Sequence, residues 1–489
     1  MPPSHHPSPT ILLPELPPKT LVGIDLVAFS STANFHGIRD LPGGWHFLYT
    51  GTTESFSLRC GGWFYVGDIS AAGTGDNDTA LVVARGSQQQ TPAPEIYIWK
   101  WNTDTESLVP LTGDNDADRQ EAMRYKANLG ALWQSGGLFR YRSRVSPAML
   151  SNKPGSAPAD ARRAEEDEET EEEGRRDWRQ LTNRLSPAIL SRIIGEPAVD
   201  VDGRPRWMVT SASTANRDAD HIPGVDSPAV DGEQDSRKIG AREKEFGFLP
   251  IDLKRTWREG AIGRERTEAA QDKSWALGNL VFRYSSRVAG EITVDERTGE
   301  AQVLGELQFT FLMVITMMNF SCLQQWKRLL ELILTSRRAI LDREALMSEV
   351  LRLLLRQLER CDDVEGGLFE IDGDEGGEFL HNLLTNFRRS VDEIIPKDAK
   401  SRVKIELDRL EAWVKEEYDW ELKRESIVRR GMLQLEDGEQ VEMEMEDNDA
   451  DEETGEYAPM VVDLGEHTHL SEEEQIEEDE ASDLEDMRY

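Results

Sequence analysis

Eight histidines, three cysteines and a large excess of carboxylates are the groups from which this sequence would have to build a catalytic or metal site. The histidines stand at positions 5, 6, 36, 46, 221, 381, 467 and 469; none forms an HExxH pair and none stands at zinc spacing from a cysteine. Cys60, Cys322 and Cys361 are too far apart for a CxxC half-site and too few for a disulfide framework, a usage that fits a reducing compartment. His36 in NFHGIRD and His46 in GWHFLY have Asp25 and Asp40 near them in the chain, the residue types of a histidine–carboxylate hydrolytic dyad. The simpler reading is that these are half-buried histidines stabilising turns. Gly73-x-Gly75-Asp76-x-Asp78 and Asp372-Gly373-Asp374-Glu375-Gly376-Gly377 lack the ligand spacing and closing glutamate of a calcium loop, and read as a turn and an exposed interhelical loop. There is no GxSxG elbow and no Walker A lysine motif. The expectation is a protein without catalytic residues, cofactor or metal.

The charge balance narrows the class further. The chain has 489 residues, 93 acidic and 56 basic, for a formal charge of −37. Residues 434–489 hold 24 Asp and Glu against the single base Arg488, a net of −23, so the remainder carries only −14. Without a basic surplus there is no electrostatic drive toward duplex nucleic acid or an anionic membrane. The proline-rich leader MPPSHHPSPTILLPELPPKT has no basic n-region followed by an apolar h-region, so it does not read as a signal peptide. The longest apolar stretch, Leu307–Leu323, is 17 residues and carries Gln308, Thr310, Thr316, Asn319 and Ser321. It is shorter than the ~20 residues that span a bilayer and reads as a buried core helix.

The elements that must position any site change character along the chain. A disordered leader over 1–19 is expected to precede a β-rich domain with short helices over 20–210. Its candidate strands are Thr20–Phe29, Trp45–Thr50, Phe56–Val66, Ala80–Arg85 and Glu95–Asn102, the last (EIYIWKWN) alternating at period two. Glycine-rich breaks such as Pro42-Gly43-Gly44 supply the turns, and the pattern suggests an antiparallel sandwich or small barrel. Residues 118–150 and 177–195 read as helical appendages, the second opening on Ser186-Pro187 and stopping at Gly195. The charge block within 151–176 (AEEDEETEEE) reads as a disordered insertion, and 211–245 as a polar linker. From 246 to 433 the period becomes 3.6, with helices at Asp272–Ser286, Gly305–Cys322, Leu323–Ser336, Leu341–Cys361 (N-cap Asp342), Phe379–Ile395 and Lys400–Leu433. These should pack as a bundle or short solenoid. An acidic disordered tail fills 434–489. The fold class is therefore α+β and multidomain.

Two separated stretches carry a resemblance. Gly305-Glu306-Leu307-Gln308-Phe309-Thr310-Phe311-Leu312, followed by a helix bearing Trp326, closely resembles the signature of the cistron-splicing factor family, AAR-type assembly chaperones of the U5 small nuclear ribonucleoprotein, here of the kind of a fungal member. Val22-Gly23-Ile24-Asp25, then Phe35-His36-Gly37-Ile38-Arg39-Asp40-Leu41-Pro42-Gly43-Gly44, resembles the family's N-terminal elements, with a weaker echo in Trp178-x-x-Leu181-Thr182-Asn183. The matching regions cover roughly 20–145, 177–195 and 246–422; the insertion, the linker and the tail depart from the pattern. The resemblance implies a β-rich domain followed by a helical domain like VHS repeats, and a non-enzymatic role. It also implies binding to the largest U5 protein, pre-mRNA-processing factor eight, through its RNase H-like and Jab/MPN domains, in a cytoplasmic precursor particle that matures in the nucleus.

The tail and the expected loop between Ser285 and Leu304 supply candidate contacts of their own. Tyr457, Ala458, Pro459, Met460, Val461 and Val462 form an apolar, β-prone islet in the acidic tail, suited to adding as a strand to a partner's sheet edge. Ser471 and Ser482 precede acidic runs that suit an acidophilic kinase, and Ser285 and Ser286 stand where a phosphate would disturb a packed surface. The competing classes are a helical adaptor for some other partner and, far behind it, a hydrolase using His36 or His46.

Overall fold

A computed structural model describes residues 8–52, 58–71, 95–144, 157–215, 245–287, 294–361, 374–396, 399–423, 429–434 and 440–445. The first half contains strands β1 (Thr10–Leu12), β2 (Leu21–Ile24), β3 (Val27–Ser30), β4 (Gly37–Arg39), β5 (Gly44–Gly51), β6 (Arg59–Val66), β7 (Ile96–Asn102), β8 (Ser107–Pro110), β9 (Leu138–Arg140), β10 (Ala198–Val199) and β11 (Pro205–Thr210). Helices α1 (Asp116–Ala127), α2 (Leu129–Gln134), α3 (Ala157–Thr182) and α4 (Pro187–Ile194) lie among them. The strands form two sheets, a six-stranded one in the order β10-β11-β6-β5-β2-β3 and a five-stranded one in the order β8-β7-β1-β4-β9. The first is antiparallel throughout. The second is mixed, because β1 runs parallel to β7 and β4 parallel to β9, where an all-antiparallel arrangement was expected.

Alternation along each strand assigns the layers. On β5, His46 and Leu48 point toward the five-stranded sheet, while Trp45, Phe47 and Tyr49 point the other way; β6 repeats this with Phe64 and Val66 against Trp63. One core lies between the sheets, where Leu48, Phe64 and Val66 meet Ile11, Tyr97 and Trp99. A small core under α1 and α2 covers the far face of the five-stranded sheet with Leu12, Ile98, Ala122 and Leu138. The third and largest core is shared: Trp45, Phe47, Trp63 and Trp207 pack with Leu185 and Leu190 and with Leu307, Phe309, Leu329 and Leu351 of the second half. The β half and the helical half are thus joined by burial, and by contacts the chain divides instead into Met1–Lys423 and Arg424–Tyr489.

The second half is helical. It contains α5 (Arg264–Gln271), α6 (Ser274–Arg283), α7 (Glu296–Met317), α8 (Phe320–Leu334), α9 (Ala339–Asp342), α10 (Glu344–Leu358), α11 (Asp374–Ile394) and α12 (Arg402–Tyr418), with a two-residue pairing between β12 (Ser286–Arg287) and β13 (Val294–Asp295). In Arg424–Tyr489 the described residues form an antiparallel hairpin of β14 (Arg429–Gln434) and β15 (Gln440–Met445).

Several expectations need correction. The leader is not wholly unstructured, since Thr10–Leu12 is the central strand of the five-stranded sheet and Ile11 is fully buried between Ile38 and Tyr97. The acidic segment expected as a disordered insertion is helical from Ala157 onward. Two of its carboxylates are held from upstream: Arg142 Nη1 lies 2.6 Å from Asp167 and 3.3 Å from Glu171, and the Ser143 backbone N–H and hydroxyl both donate to Glu171 at 3.0 Å. The long apolar stretch breaks earlier than expected. α7 ends on Met318 in the left-handed conformation (φ 54°), and Asn319 caps α8 by accepting from the Cys322 N–H at 2.9 Å. Asp342 closes α9 rather than capping α10, which starts after Arg343. α12 ends at Tyr418, before the expected Leu433. The proposed strand Ala80–Arg85, the linker from 216 to 244 and the tail beyond 445 lie outside the described residues.

Candidate functional site

The residues that carry the sequence signature come together at the junction of the two halves. At Gly305 a Cβ would stand 2.4 Å from Ile189 Cδ1 and 2.8 Å from the Arg184 carbonyl oxygen, so the absence of a side chain lets α7 lie against the start of α4. Glu306, fully buried, accepts from Arg192 Nη1 at 2.6 Å, from the Leu249 N–H at 3.0 Å and from Gln325 Nε2 at 2.7 Å. These donors offset only part of the loss of water around the carboxylate, and burial holds its pKa above the ordinary value. Gln308 accepts from the Arg184 N–H at 2.9 Å and donates to the Gln180 carbonyl at 2.9 Å and to Asn183 Oδ1 at 2.7 Å. The Leu307 carbonyl accepts from Gln357 Nε2 at 3.1 Å, while Gln357 Oε1 accepts from Trp326 Nε1 at 3.1 Å. Phe309 meets Trp63 of the six-stranded sheet, ring centroids 6.3 Å apart.

The echo at 178–183 belongs to the same junction. Trp178 donates its indole N–H to the Trp45 carbonyl at 2.6 Å, and Trp45 donates its own to the Leu185 carbonyl at 3.0 Å. Asp177 pairs with Arg360 in a buried contact. Three junction residues carry no functional reading in the sequence. Arg59 donates to the Thr316 carbonyl at 2.7 Å, Asn319 donates to the Ser211 and Ser213 carbonyls at 3.0 and 2.8 Å, and Arg192 grips Glu306. A signal existed for Gln325 and Gln357: each is an amide on a leucine-rich buried face, where a polar group needs a partner from elsewhere in the fold.

The N-terminal signature builds a second, smaller network. His46 is buried, with Nδ1 2.8 Å from Asp25 Oδ2 and Nε2 2.8 Å from the Pro42 carbonyl. Asp25 also accepts from the Phe47 N–H at 2.9 Å and the Tyr141 hydroxyl at 2.6 Å. Both ring nitrogens therefore face acceptors, the arrangement of an imidazolium. Burial works against that charge, but Asp25 and the Pro42 carbonyl outweigh it and hold the His46 pKa above its ordinary value. No ring nitrogen is left for a substrate, so this pair is a strut between the β2–β3 turn and β5 and not a hydrolytic dyad. Asp40 instead accepts from Ser8 Oγ at 2.6 Å. His36 is half-buried and acts through its backbone, donating to the Gly137 carbonyl and accepting from the Leu13 N–H, both at 2.8 Å. A Cβ at Gly23 would enter the Tyr49 ring at 1.9 Å, and one at Gly37 would meet the Ile11 carbonyl at 2.1 Å. Gly44 opens β5.

Of the phosphorylation candidates, Ser285 is half-buried and donates its hydroxyl to the Val281 carbonyl at 2.7 Å. Ser286 opens β12 opposite Asp295. Ser471, Ser482 and the islet 457–462 lie outside the described residues. Among the described residues, no His, Cys, Asp and Glu side chains converge to hold a metal ion, and no helix is long and apolar enough to cross a membrane.

Two family models divide the chain at this junction. The AAR2 N-terminal domain matches residues 7–195, and the AAR2 C-terminal repeat region matches residues 248–423. The chain belongs to the AAR2 family. AAR2 homologues of Homo sapiens and Pongo abelii are each 23% identical to it over 430 residues, covering 85% of this chain and 90% of theirs. That of Mus musculus is 22% identical over 431 residues with the same coverage. The two AAR2 regions meet through the residues just described: Arg192 and Arg184 lie in the first, and Glu306, Gln308 and Gln325 in the second. The AAR2 signature read in the sequence is thus a fold signature, built to fasten one half of the molecule to the other.

Proposed function

We propose that this AAR2-family chain is a non-enzymatic pre-mRNA splicing factor, an assembly chaperone of the U5 small nuclear ribonucleoprotein. It would bind the largest U5 protein, pre-mRNA-processing factor eight, through that protein's RNase H-like and Jab/MPN domains in a precursor particle. There it would block premature helicase and RNA binding, acting in the cytoplasm and the nucleus. The observation that carries this reading is the family match over residues 7–195 and 248–423. The shared core supports it, because a placeholder must present its binding surfaces in fixed relation, and one core serving both halves provides that rigidity.

Two features suit binding followed by release. The islet Tyr457–Val462 would add as a strand to the partner's sheet edge, and the surrounding acidic residues would steer it toward a basic, RNA-binding surface. Phosphorylation at Ser285 or Ser286, or at Ser471 or Ser482, would set release, each phosphate adding roughly −1.5 to −2 charges. At Ser285 the phosphate would have to leave the Val281 carbonyl and the adjoining Gly299, where a Cβ would already be 2.6 Å from the hydroxyl.

The test is co-elution on size exclusion with the RNase H-like and Jab/MPN fragments, at two salt concentrations, using the full chain and a version ending at Leu433. A complex with the full chain is expected. No complex with either version overturns this reading and favours an adaptor for another partner.

A further inference from the structure

Helix α6 buries Leu277, Leu280 and Val281 and turns its other face outward, leaving Trp275 44% and Phe282 52% exposed. Trp275 and Arg283 of this helix, with Arg255 and Trp257 of the stretch before α5, line a cleft of about 370 Å³. That volume is within the roughly 300–1,000 Å³ of pockets that take small ligands or an anchoring side chain. Trp257 is fixed by Arg266, whose guanidinium lies 5.5 Å from the ring centroid.

The charges around the cleft are unevenly satisfied. Neighbouring arginines are paired: Arg258 with Glu265, Arg264 with Glu268, and Arg343 with Glu296 and Glu300. Arg255 and Arg283 have no side-chain ion pair among the described residues, in a chain where acids outnumber bases 93 to 56. Of the two carboxylates that line the cleft, Asp252 caps its own turn by accepting the Lys254 and Arg255 N–H groups at 3.0 and 3.1 Å, which leaves Glu259. Two guanidinium groups without an ion pair among the described residues, beside two tryptophans, call for an anion and an apolar group presented together. Tryptophan and arginine are also the side chains on which protein interfaces most often concentrate their binding energy.

We propose that this cleft docks a short acidic segment of a partner protein, with an apolar side chain against Trp257 and Trp275 and its carboxylates on Arg255 and Arg283. A nucleic acid strand also stacks on tryptophan, but it brings a charge with every nucleotide to a chain of formal charge −37. A peptide with two or three carboxylates matches the two guanidiniums and brings fewer negative charges to be repelled. The proposal uses none of the acidic tail residues invoked above and does not depend on which protein the tail binds.

The test starts from a displayed library of random twelve-residue peptides selected on the full chain. The strongest peptides are resynthesised with a fluorophore and titrated by anisotropy against the wild type, Trp275→Ala, Arg255→Glu/Arg283→Glu and the surface control Arg264→Glu. Circular dichroism melts of all four verify folding; the substituted side chains are exposed or line the open cleft, so the fold should persist. Enrichment of acidic peptides with an aromatic or aliphatic residue, weakened about tenfold or more by both cleft variants and not by the control, is the expected result. Peptides without acidic residues, peptides bound equally by every variant, or no enrichment would each overturn the proposal. So would an oligouridylate probe that binds the wild type more tightly than any selected peptide and loses that binding in the cleft variants.

Discussion

Arg192 on α4 and Glu306 on α7 meet at 2.6 Å, and through that contact the β half of the molecule grips the helical half. Glu306 is wholly buried, while Arg192 keeps 18% of its side chain exposed. The two ends of the pair should therefore respond differently to removal. Arg192→Ala leaves a buried carboxylate without its counter-charge and should cost about 3–5 kcal/mol of unfolding free energy. Glu306→Gln keeps an acceptor for the Leu249 N–H and frees an arginine that can reach water, so its cost should be the smaller. Urea unfolding followed by circular dichroism checks the order, and equal losses would mean that the pair contributes only packing. The shared core also predicts that the β and helical halves lose structure in one transition.

Gly305 and Gly278 are both helical, yet alanine should act on them with opposite sign. At Gly305 the new methyl would press on the Arg184 backbone oxygen, which has no rotamer to retreat into, and overpacking of this kind costs about 1–3 kcal/mol. At Gly278 the nearest atom is Arg343 Nη2 at 3.9 Å, so the methyl fits. Gly278→Ala should stabilise by roughly 0.5–1 kcal/mol through helix propensity. Thermal melts of the two variants beside the wild type distinguish them; a stabilised Gly305→Ala would show that α4 and α7 are not tightly apposed.

The Asp25–His46 pair gives stability a pH dependence. Burial lowers the His46 pKa, but Asp25 and the Pro42 carbonyl raise it further, so the folded value lies above the ordinary 6.5. The folded state then holds a proton that the unfolded chain gives up, and this contribution is complete below about pH 6.5 and lost as pH rises through the folded pKa. His46→Asn should be less stable than the wild type, by more at pH 6 than at pH 9. A difference independent of pH, measured by urea unfolding at both values, would mean that His46 is neutral in the fold.

What the sequence reveals follows from how local each cause is. Helix α4 was legible because its cap and stop are adjacent in the chain: Ser186 Oγ accepts the Ile189 N–H at 3.3 Å, Pro187 takes the first turn, and Gly195 ends it. β7 was legible because its alternation is contained in EIYIWKWN. β1 was not, since the four residues between Pro9 and Pro14 acquire strand character only from Ile38 and Tyr97, which pair with Ile11 from far along the chain. The acidic part of α3 reads as loop in the sequence because only a charge block is visible there, while the groups that hold it, Arg142 and Ser143, lie upstream. The signature at 305–309 was visible as a motif, but its role was not, because Arg192, Arg184 and Gln357 reach it from three other elements.

The proposed tail contact separates into two measurable parts. Strand addition by Tyr457–Val462 would make short-range hydrogen bonds that form after encounter, so deleting 457–463 should raise the dissociation rate and leave the association rate within a few-fold. Replacing the acidic run Glu472–Glu474 and Glu477–Glu480 by serine and glutamine would leave the strand intact and remove the long-range steering. That variant should associate roughly tenfold or more slowly at low salt, with little change in dissociation, and the gap should close as ionic strength rises and the Debye length falls below ~10 Å. Surface plasmon resonance against the RNase H-like fragment reads both rates. If the deletion slowed association instead, the islet would be acting in encounter and not as an added strand; if neither variant changed either rate, the contact would belong to residues 1–423.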